Sequence, residues 1–366
     1  MEKLKAVVVD DTIVYRKIVG DILKELPDIE VAGTANNGKI ALSKINSLKP
    51  DFITLDIEMP ELSGIEVLQK LKEIPDPPAV VMVSTLTQDS SEMTIKALEL
   101  GAFDFISKPG EGTMAENLAK VKQSLVPIIE TLKRQKRTRS RIQSPVREKP
   151  PVAGKEPEAK KPVTRVVHKR TKTRNSEIVG IGISTGGPNA LTEMVPMLDP
   201  GLKAPVLIVQ HMPPLFTQSL ANSLNKKSRL NVKEAQNGEV ISEGTVYIAP
   251  GGKQMKIMAG ADGRTRKIKL TDDPPENSCK PSVDYLFRSI AEHYVGRATG
   301  VIMTGMGSDG TRGLIQMKNN GSYIIAQDES TCTVYGMPKE PIETGIADVI
   351  APLGKIAEEI SKTVLA

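Results

Sequence analysis

The sequence predicts an α/β protein with two domains that are joined by a basic segment. Short apolar runs alternate with amphipathic stretches of helical spacing, which is the pattern of parallel sheets covered by helices. The 366 residues exceed the usual size of a single domain. Apolar residues form 39% of the chain and aromatic residues only 3%, without Trp, which indicates aliphatic interiors.

Charge is unevenly distributed along the chain. Residues 133–175 hold 16 Lys/Arg and 3 Asp/Glu, a net charge of +13, whereas the whole chain carries +5 and the remainder therefore −8. This stretch has several prolines and few apolar residues, so it lacks the surface to form a core. We expect residues 123–176 to be a helical extension, continuing the helical spacing of 113–132, followed by a flexible basic linker. A solvated spacer is favoured over a contact with nucleic acid or an anionic membrane.

Two further observations bound the location of the chain. Apolar runs are too short to cross a bilayer and the N-terminus lacks a signal-peptide pattern, so we expect a cytoplasmic protein. Cys279 and Cys332 form no pattern typical of a disulfide framework or a metal site.

Polar residues follow the predicted strands of the front domain, residues 1–122. The strands are expected at Leu4–Val9, Ile29–Ala35, Phe52–Leu55, Val80–Val83 and Ala102–Ile106. The residues at their carboxyl ends, where ligands bind in parallel sheets, are Asp10, Asp11, Asp56, Ser84 and Lys108. Three carboxylates at one edge repel one another unless a hard cation such as Mg²⁺ neutralises them. An aspartate in this setting can be a nucleophile toward phosphate, with the lysine and the hydroxyl binding phosphoryl oxygens.

With these residues, the front domain resembles the receiver domain of two-component response regulators. The resemblance implies a flavodoxin-like sheet of five parallel strands in the order 2-1-3-4-5, phosphorylated at Asp56. It assigns the Mg²⁺ needed for phosphorylation to Asp10, Asp11, Asp56 and the backbone carbonyl of Glu58. It assigns the conformational switch to Ser84, Phe105 and Lys108, with the Lys108–Pro109 bond expected in the cis form.

The back domain, residues 177–366, is also predicted to be a doubly wound, mainly parallel α/β domain. Strands are expected at Ile178–Ile183, Val206–Val209, Gly300–Met303 and Tyr323–Ala326, and helices near 187–198, 282–294 and 310–319. Gly-rich turns between 230 and 275 predict hairpins, which would form an antiparallel addition.

A candidate nucleophile follows the first of these strands. In Gly182-Ile183-Ser184-Thr185-Gly186, a serine stands between glycines at a strand-to-helix turn, where its hydroxyl is exposed for attack. Such a serine needs a base. His168 falls in the basic linker and His293 in a helical stretch, whereas His211 follows a strand at the same sheet edge as Ser184. His211 is therefore the candidate base.

The acid that orients the histidine is expected at the same edge. Asp309 lies in the Thr304–Gly310 loop after a strand, although a helix N-cap would explain it equally well on its own. Asp328, at the next strand end, is a weaker rival. The Gly-rich loop also offers backbone N–H groups for an oxyanion, with the Met306 amide as first candidate and Thr185 as a further substrate contact.

The chain order Ser184, His211, Asp309 differs from α/β-hydrolases, in which the acid precedes the histidine. The back domain instead resembles the catalytic domain of the chemotaxis response regulator methylesterases. The matching segments are 182–188, 210–212 with Phe216, 248–252, 304–310, 326–328 and 335–338.

This second resemblance implies a function. The chain would hydrolyse glutamate γ-methyl esters of methyl-accepting chemoreceptors and deamidate receptor glutamines, as a monomer without a cofactor for the esterase reaction. A chemotaxis histidine kinase would be the phosphodonor, nucleic acid would not be bound, and membranes would be met only through receptors. With both resemblances combined, the unphosphorylated receiver is expected to cover the Ser184 edge.

Three alternatives stay open at this point. A receiver with a basic linker is compatible with a DNA-binding regulator, although residues 177–366 show no helix-turn-helix with a basic recognition helix. The back domain could be a binding module with an inactive serine site. The enzyme could also serve a chemosensory pathway other than motility.

Overall fold

The computed structural model describes residues 3–109, 113–143 and 175–364. The N-terminal domain alternates strands and helices from its first described residues. Its elements are β1 (Leu4–Val9), α1 (Ile13–Lys24), β2 (Ile29–Ala35), α2 (Gly38–Leu48), β3 (Phe52–Asp56), α3 (Gly64–Leu71), β4 (Ala79–Ser84), α4 (Gln88–Glu99), β5 (Asp104–Ser107) and α5 (Met114–Gln143). The five strands form one parallel sheet in the order 2-1-3-4-5, which confirms the predicted fold class.

Helix α5 is longer than the sequence pattern suggests. Its apolar stripe, including Val121, Leu125 and Ile129, packs in the core of the N-terminal domain. The helix continues to Gln143, into the basic stretch that was expected to be linker, because Lys, Arg and Gln are good helix formers and Lys133 and Lys136 pair with acids on the domain. The rest of the predicted linker, residues 144–174, lies outside the described residues.

The C-terminal domain is built on a larger sheet. Its elements are β6 (Ile178–Ile183), α6 (Gly187–Met194), β7 (Val206–Gln210), α7 (Phe216–Lys227), β8 (Asn231–Glu234), β9 (Thr245–Ile248), β10 (Gln254–Ala259), β11 (Arg266–Thr271), α8 (Val283–His293), β12 (Ala298–Ile302), α9 (Thr311–Asn319), β13 (Tyr323–Gln327), α10 (Lys339–Glu343), β14 (Val349–Ala351) and α11 (Leu353–Val364). Seven parallel strands are arranged in the order 14-13-12-6-7-9-8.

The region between 230 and 275 holds one antiparallel hairpin, formed by β10 and β11. This hairpin confirms the predicted antiparallel addition, but β8 and β9 in the first half of the region form no hairpin, because they pair in parallel and extend the main sheet. The expected cis bond at Lys108–Pro109 is also absent: within the described ranges, the cis peptide bond is Lys280–Pro281.

The two domains contact each other along α4 and β5 on one side and α6 and α7 on the other. The Phe105 ring stacks on Phe216, with centroids 4.6 Å apart and an interplanar angle of 23°. The Ser91 and Ser219 hydroxyls lie 2.7 Å apart, and Glu99 pairs with Lys227 at 2.6 Å. This contact places β5 of the N-terminal domain beside the carboxyl edge of the seven-stranded sheet. None of the described helices is both long and apolar enough to span a membrane.

Candidate active site

Two glycines shape the turn that presents Ser184 at the end of β6. Gly186 begins α6 with φ of +74°, and a Cβ there would lie 2.4 Å from Thr333 Oγ1. A Cβ on Gly182 would lie 2.3 Å from Val283 Cγ1, so this position must stay small for α8 to pack on β6. The Ser184 amide donates to the Thr304 carbonyl at 3.0 Å, which fixes the turn against the strand end of β12.

The candidate base and acid flank this serine on the two neighbouring strands. His211 follows β7 and Asp309 follows β12, and both strands pair with β6. The His211 Nε2 atom lies 2.8 Å from Asp309 Oδ2. The sheet thus brings all three predicted residues to one edge, as expected from their positions after parallel strands.

Asp309 is a buried carboxylate that is held from several sides. Oδ2 accepts the Val283 amide at 2.7 Å in addition to the histidine, and Oδ1 accepts the Asn277 and Ser282 side chains and the Asp284 amide. Burial raises the pKa of Asp309, but the hydrogen bond and charge of His211 and the other donors outweigh it and lower the pKa to about 2. The acid is therefore ionised at neutral pH.

These contacts decide between the alternatives for the acid. Asp309 binds the first amides of α8 and not of its own helix α9, whose N-cap is Gly310. Asp328 binds Thr331 and Ser330 beside its own strand, so it does not hold the imidazole.

The tautomer of His211 follows from its partners. In the neutral imidazole, Nε2 carries the proton because it faces the Asp309 carboxylate, and Nδ1 keeps the lone pair. This is the reverse of chymotrypsin-like proteases, in which Nδ1 donates to the aspartate. Burial lowers the pKa of His211, but the hydrogen bonds and charges of Asp309 and Cys279 outweigh burial and raise the pKa from its usual 6.5 to about 9.

Cys279 occupies a place that the sequence did not indicate. Its Sγ lies 3.6 Å from His211 Nδ1. In the part of the chain that the structure describes, no hydrogen bond joins the Ser184 hydroxyl to the imidazole. Ser184 and His211 nevertheless line the same cavity. The candidate base and acid are thus in contact, whereas the candidate nucleophile and base share no hydrogen bond among the described residues.

The loop after β12 places candidate oxyanion donors beside Ser184. A Cβ on Gly305 would lie 2.8 Å from the Ser184 Cβ, so this loop passes the nucleophile at close range. The amide of the next residue, Met306, donates to no described residue. Thr185 lines the same cavity as Ser184, and its carbonyl accepts the Thr304 hydroxyl. Gln210, to which the sequence alone assigned no role, positions this turn by donating its side-chain amide to the Ser184 carbonyl at 3.0 Å.

A second site lies at the carboxyl edge of the N-terminal sheet. The Lys108 ammonium bridges Asp10 Oδ2 at 2.8 Å and Asp56 Oδ2 at 2.6 Å, and carboxylate oxygens of Asp10, Asp11 and Asp56 lie within 4.8 Å of one another. Burial raises the pKa of Asp56 to about 6, although Lys108 partly opposes the shift.

The donor set at this edge fits Mg²⁺. Apart from the Lys108 ammonium at 2.8 Å, the buried Oδ2 of Asp10 has no hydrogen-bond partner among the described residues. The backbone carbonyl of Glu58 accepts no hydrogen bond from the described residues. Several oxygen ligands with unused lone pairs are what this hard cation requires.

The predicted switch residues connect this edge to the other domain. Ser84 Oγ accepts the Thr94 hydroxyl at 2.8 Å, and the Glu58 side chain accepts the Ser90 hydroxyl at 2.6 Å. Both donors, Thr94 and Ser90, lie on α4. The Phe105 ring stacks on Phe216 of the C-terminal domain. Helix α4 and strand β5 therefore touch both the acidic edge and the C-terminal domain.

A cavity of about 250 Å³ lies between the domains at the candidate active site. Ser184, Thr185 and His211 line one wall, and residues of β5 and α5, among them Asp104 and Ser124, line the other. The Asn189 side chain donates to the Ala102 carbonyl at 3.2 Å across the domain contact. Residues of both domains therefore line the cavity that contains Ser184.

Comparison with known proteins agrees with both halves of this description. Residues 179–360 match the CheB methylesterase family, and residues 6–119 match the response regulator receiver domain. A protein-glutamate methylesterase/protein-glutamine glutaminase of Desulfotalea psychrophila is 57% identical over 100% of this chain and 99% of its own length. The protein of the same name in Bacillus subtilis is 44% identical over 99% of this chain and 98% of its own length.

Solved structures show the same relationship. The Thermotoga maritima CheB methylesterase catalytic domain aligns with a TM-score of 0.50 at 43% identity, over 52% of this chain and 99% of that domain. This chain belongs to the CheB methylesterase family and carries a response regulator receiver domain.

Proposed function

We propose that this chain is a phosphorylation-activated esterase that hydrolyses glutamate γ-methyl esters on chemoreceptors and deamidates receptor glutamines during chemotaxis adaptation. The observation that carries the proposal is the placement of Ser184, His211 and Asp309 after three adjacent parallel strands, with a 2.8 Å bond between the imidazole and the acid. The names of the relatives at 57% and 44% identity support the substrate class.

The first half of the reaction forms an acyl-enzyme. Ser184 Oγ attacks the ester carbonyl while its proton passes to His211 Nδ1, and Asp309 stabilises the resulting imidazolium. The Met306 amide is the proposed donor to the oxyanion, which is supported by its having no acceptor among the described residues. Collapse breaks the ester C–O bond, and methanol leaves with the proton from His211.

The second half regenerates the serine. A water gives its proton to His211 and attacks the acyl carbon, and Ser184 Oγ leaves with that proton, which frees the glutamate carboxylate. A glutamine substrate follows the same steps with ammonia as the leaving group. The raised pKa of His211 makes its neutral form a stronger acceptor of the serine proton, and the low pKa of Asp309 keeps the acid charged throughout.

Phosphorylation is proposed at Asp56. Its carboxylate attacks the phosphoryl group of a donor, with a chemotaxis histidine kinase as the natural source, and Lys108 binds a phosphoryl oxygen. Asp10, Asp11, Asp56 and the Glu58 carbonyl would hold Mg²⁺, which offsets the negative charge of the transferred group when bound.

The domain contact supports a gate. The N-terminal domain lines the cavity over Ser184, and α4 links the interface to the acidic edge through Ser84 and Glu58. A phosphoryl group on Asp56 adds oxygen acceptors that compete for the Ser84 hydroxyl and the Lys108 ammonium. Movement of α4 and β5 would weaken the Phe105–Phe216 contact and open the cavity to a receptor helix.

The partners follow from this proposal. The protein meets its chemoreceptor substrates and its kinase as a monomer, contacts membranes only through receptors, acts in the cytoplasm and requires no nucleic acid. The esterase reaction uses no cofactor.

The test measures methanol release from methyl-labelled chemoreceptors by the full chain and by Ser184→Ala. We expect the variant to lose the activity by several orders of magnitude while binding receptors and keeping its fold. Retained methanol release in Ser184→Ala would overturn the assignment. Salt-dependent DNA binding by the wild type would favour the rival regulator.

A further inference from the structure

Cys279 lies beside the candidate base His211, a position that the sequence did not indicate. The residue follows a tight turn in which Asn277 and Ser278 both have positive φ, +51° and +63°. Glu276 and Cys279 exchange two backbone hydrogen bonds, of 3.1 and 2.7 Å, across this turn. The turn therefore holds the thiol in place beside His211, and Cys279 remains partly exposed.

The imidazole beside this thiol is equally well fixed. Nε2 is bound by Asp309, so the lone pair of Nδ1 is directed to the opposite side of the ring, where Cys279 Sγ lies. Each oxygen of Asp309 already accepts at least two hydrogen bonds, so this acid acts as an orienting partner and not as a metal ligand. A carboxylate behind a histidine is the usual outer partner of a metal-bound imidazole.

The distance between the two donor atoms matches a particular ion. A tetrahedral Zn²⁺ binds imidazole nitrogen at about 2.0 Å and thiolate sulfur at about 2.3 Å, which places the two atoms roughly 3.5 Å apart. The Nδ1–Sγ distance is 3.6 Å. A ligand pair of imidazole nitrogen and thiolate sulfur also binds Zn²⁺ in preference to Mg²⁺, which favours oxygen ligands.

We propose that His211 Nδ1 and Cys279 Sγ form a Zn²⁺-binding site whose occupancy inhibits the esterase. The Cys279 thiol loses its proton to solvent on binding, and waters fill the other positions. The ion takes the lone pair that would accept the Ser184 proton, so the nucleophile stays protonated. The inhibition rests on the proposed function, whereas the binding does not.

Cys332 provides a matched control within the same chain. Like Cys279 it is a partly exposed free cysteine. Burial, together with the charges of Asp328 and Glu329, raises the pKa of the Cys332 thiol to about 12, so it stays protonated and is a poor ligand. No histidine forms a hydrogen bond with it among the described residues.

Binding is tested with Co²⁺ as a spectroscopic substitute for Zn²⁺ on the full chain, in excess Mg²⁺ to occupy the acidic edge of the receiver. We expect a thiolate-to-cobalt charge-transfer band at one equivalent, displaced by Zn²⁺. Cys332→Ser should keep the band, and Cys279→Ser should lose it and weaken Zn²⁺ binding at least tenfold. Absence of the charge-transfer band, or equal Zn²⁺ binding by Cys279→Ser and Cys332→Ser, would overturn the site. The contact between Cys279 and His211 would then be an S–H···N hydrogen bond only.

Inhibition is tested by methanol release at graded free Zn²⁺, with each variant normalised to its own metal-free rate. Wild type and Cys332→Ser should be inhibited in parallel with Co²⁺-site occupancy and recover on chelation, and Cys279→Ser should need at least tenfold more Zn²⁺. A bound ion without inhibition would uphold the site and overturn the role of His211 as base. If the wild type binds no Zn²⁺ while Ser184→Ala is inactive in methanol release, the metal site is overturned and the proposed esterase function is upheld.

Discussion

Reversal of one charge at the domain contact should activate the unphosphorylated protein. Glu99 on α4 pairs with Lys227 on α7 at 2.6 Å and also hydrogen-bonds Ser223. The lysine and glutamate side chains are 37% and 25% exposed, so solvent screening limits the pair to ~1 kcal/mol. In Glu99→Lys, repulsion from Lys227 adds about the same again, giving about 2 kcal/mol or a roughly 30-fold shift toward the open arrangement.

The assay is methanol release from methyl-labelled receptors without a phosphodonor. The basal rate of Glu99→Lys should rise by up to roughly 30-fold, with the rate of the phosphorylated wild type as its ceiling. Glu73→Lys is the matched control, because Glu73 is exposed and bonds to no described residue of the C-terminal domain. Adding Lys227→Glu to Glu99→Lys should restore the pair and the low rate. Equal basal rates in wild type and in both single variants would refute the reasoning.

Four further predictions concern the nucleophile turn, the pH dependence of the reaction and of stability, and the metal. In Gly186→Ala, the new Cβ would lie 2.4 Å from Thr333, so kcat should fall at least tenfold. Gly238 has a similar φ of +83° and no atom within 4 Å of its ideal Cβ, so the control Gly238→Ala should keep the wild-type kcat. Equal kcat values in the two variants would contradict the assigned turn. Because proton acceptance needs neutral His211, kcat/KM should rise with pH through a limb near 9, and a limb at 6.5 would show that the partners do not raise the pKa. The raised folded-state pKa also means that the stability contributed by His211 is complete below about pH 6.5 and is lost as pH rises through 9, which denaturation at both pH values checks. Removing Mg²⁺ with a chelator should abolish activation by acetyl phosphate and leave the basal rate unchanged; activation that survives would count against the oxygen site.

The sequence predicted much of the fold because strands in parallel sheets are apolar on both faces. The runs Leu4–Val9, Ile29–Ala35 and Ile178–Ile183 match β1, β2 and β6 to the residue. Helix α7 was missed, although Phe216, Leu220 and Leu224 are buried at helical spacing, because polar residues between them mask the pattern. The parallel pairing of β8 and β9 was also missed, since Gly-rich turns predict hairpins.

The parts of the candidate site that escaped prediction depend on contacts between distant segments. Cys279 contacts His211 because the two preceding residues, Asn277 and Ser278, both have positive φ. The sequence at these two positions does not predict that conformation. Asp309 binds the first amides of α8, which precedes it in the chain, and no local pattern distinguishes that contact from an N-cap of α9. Residues placed directly after strands were predictable because the sheet itself brings them together.

The gate is tested most directly by methanol release with acetyl phosphate and Mg²⁺. Wild type should be strongly activated, Asp56→Asn should remain at the basal rate with and without the phosphodonor, and Ser184→Ala should be inactive in both conditions. Equal activation of wild type and Asp56→Asn would contradict a gate controlled by phosphorylation of this residue.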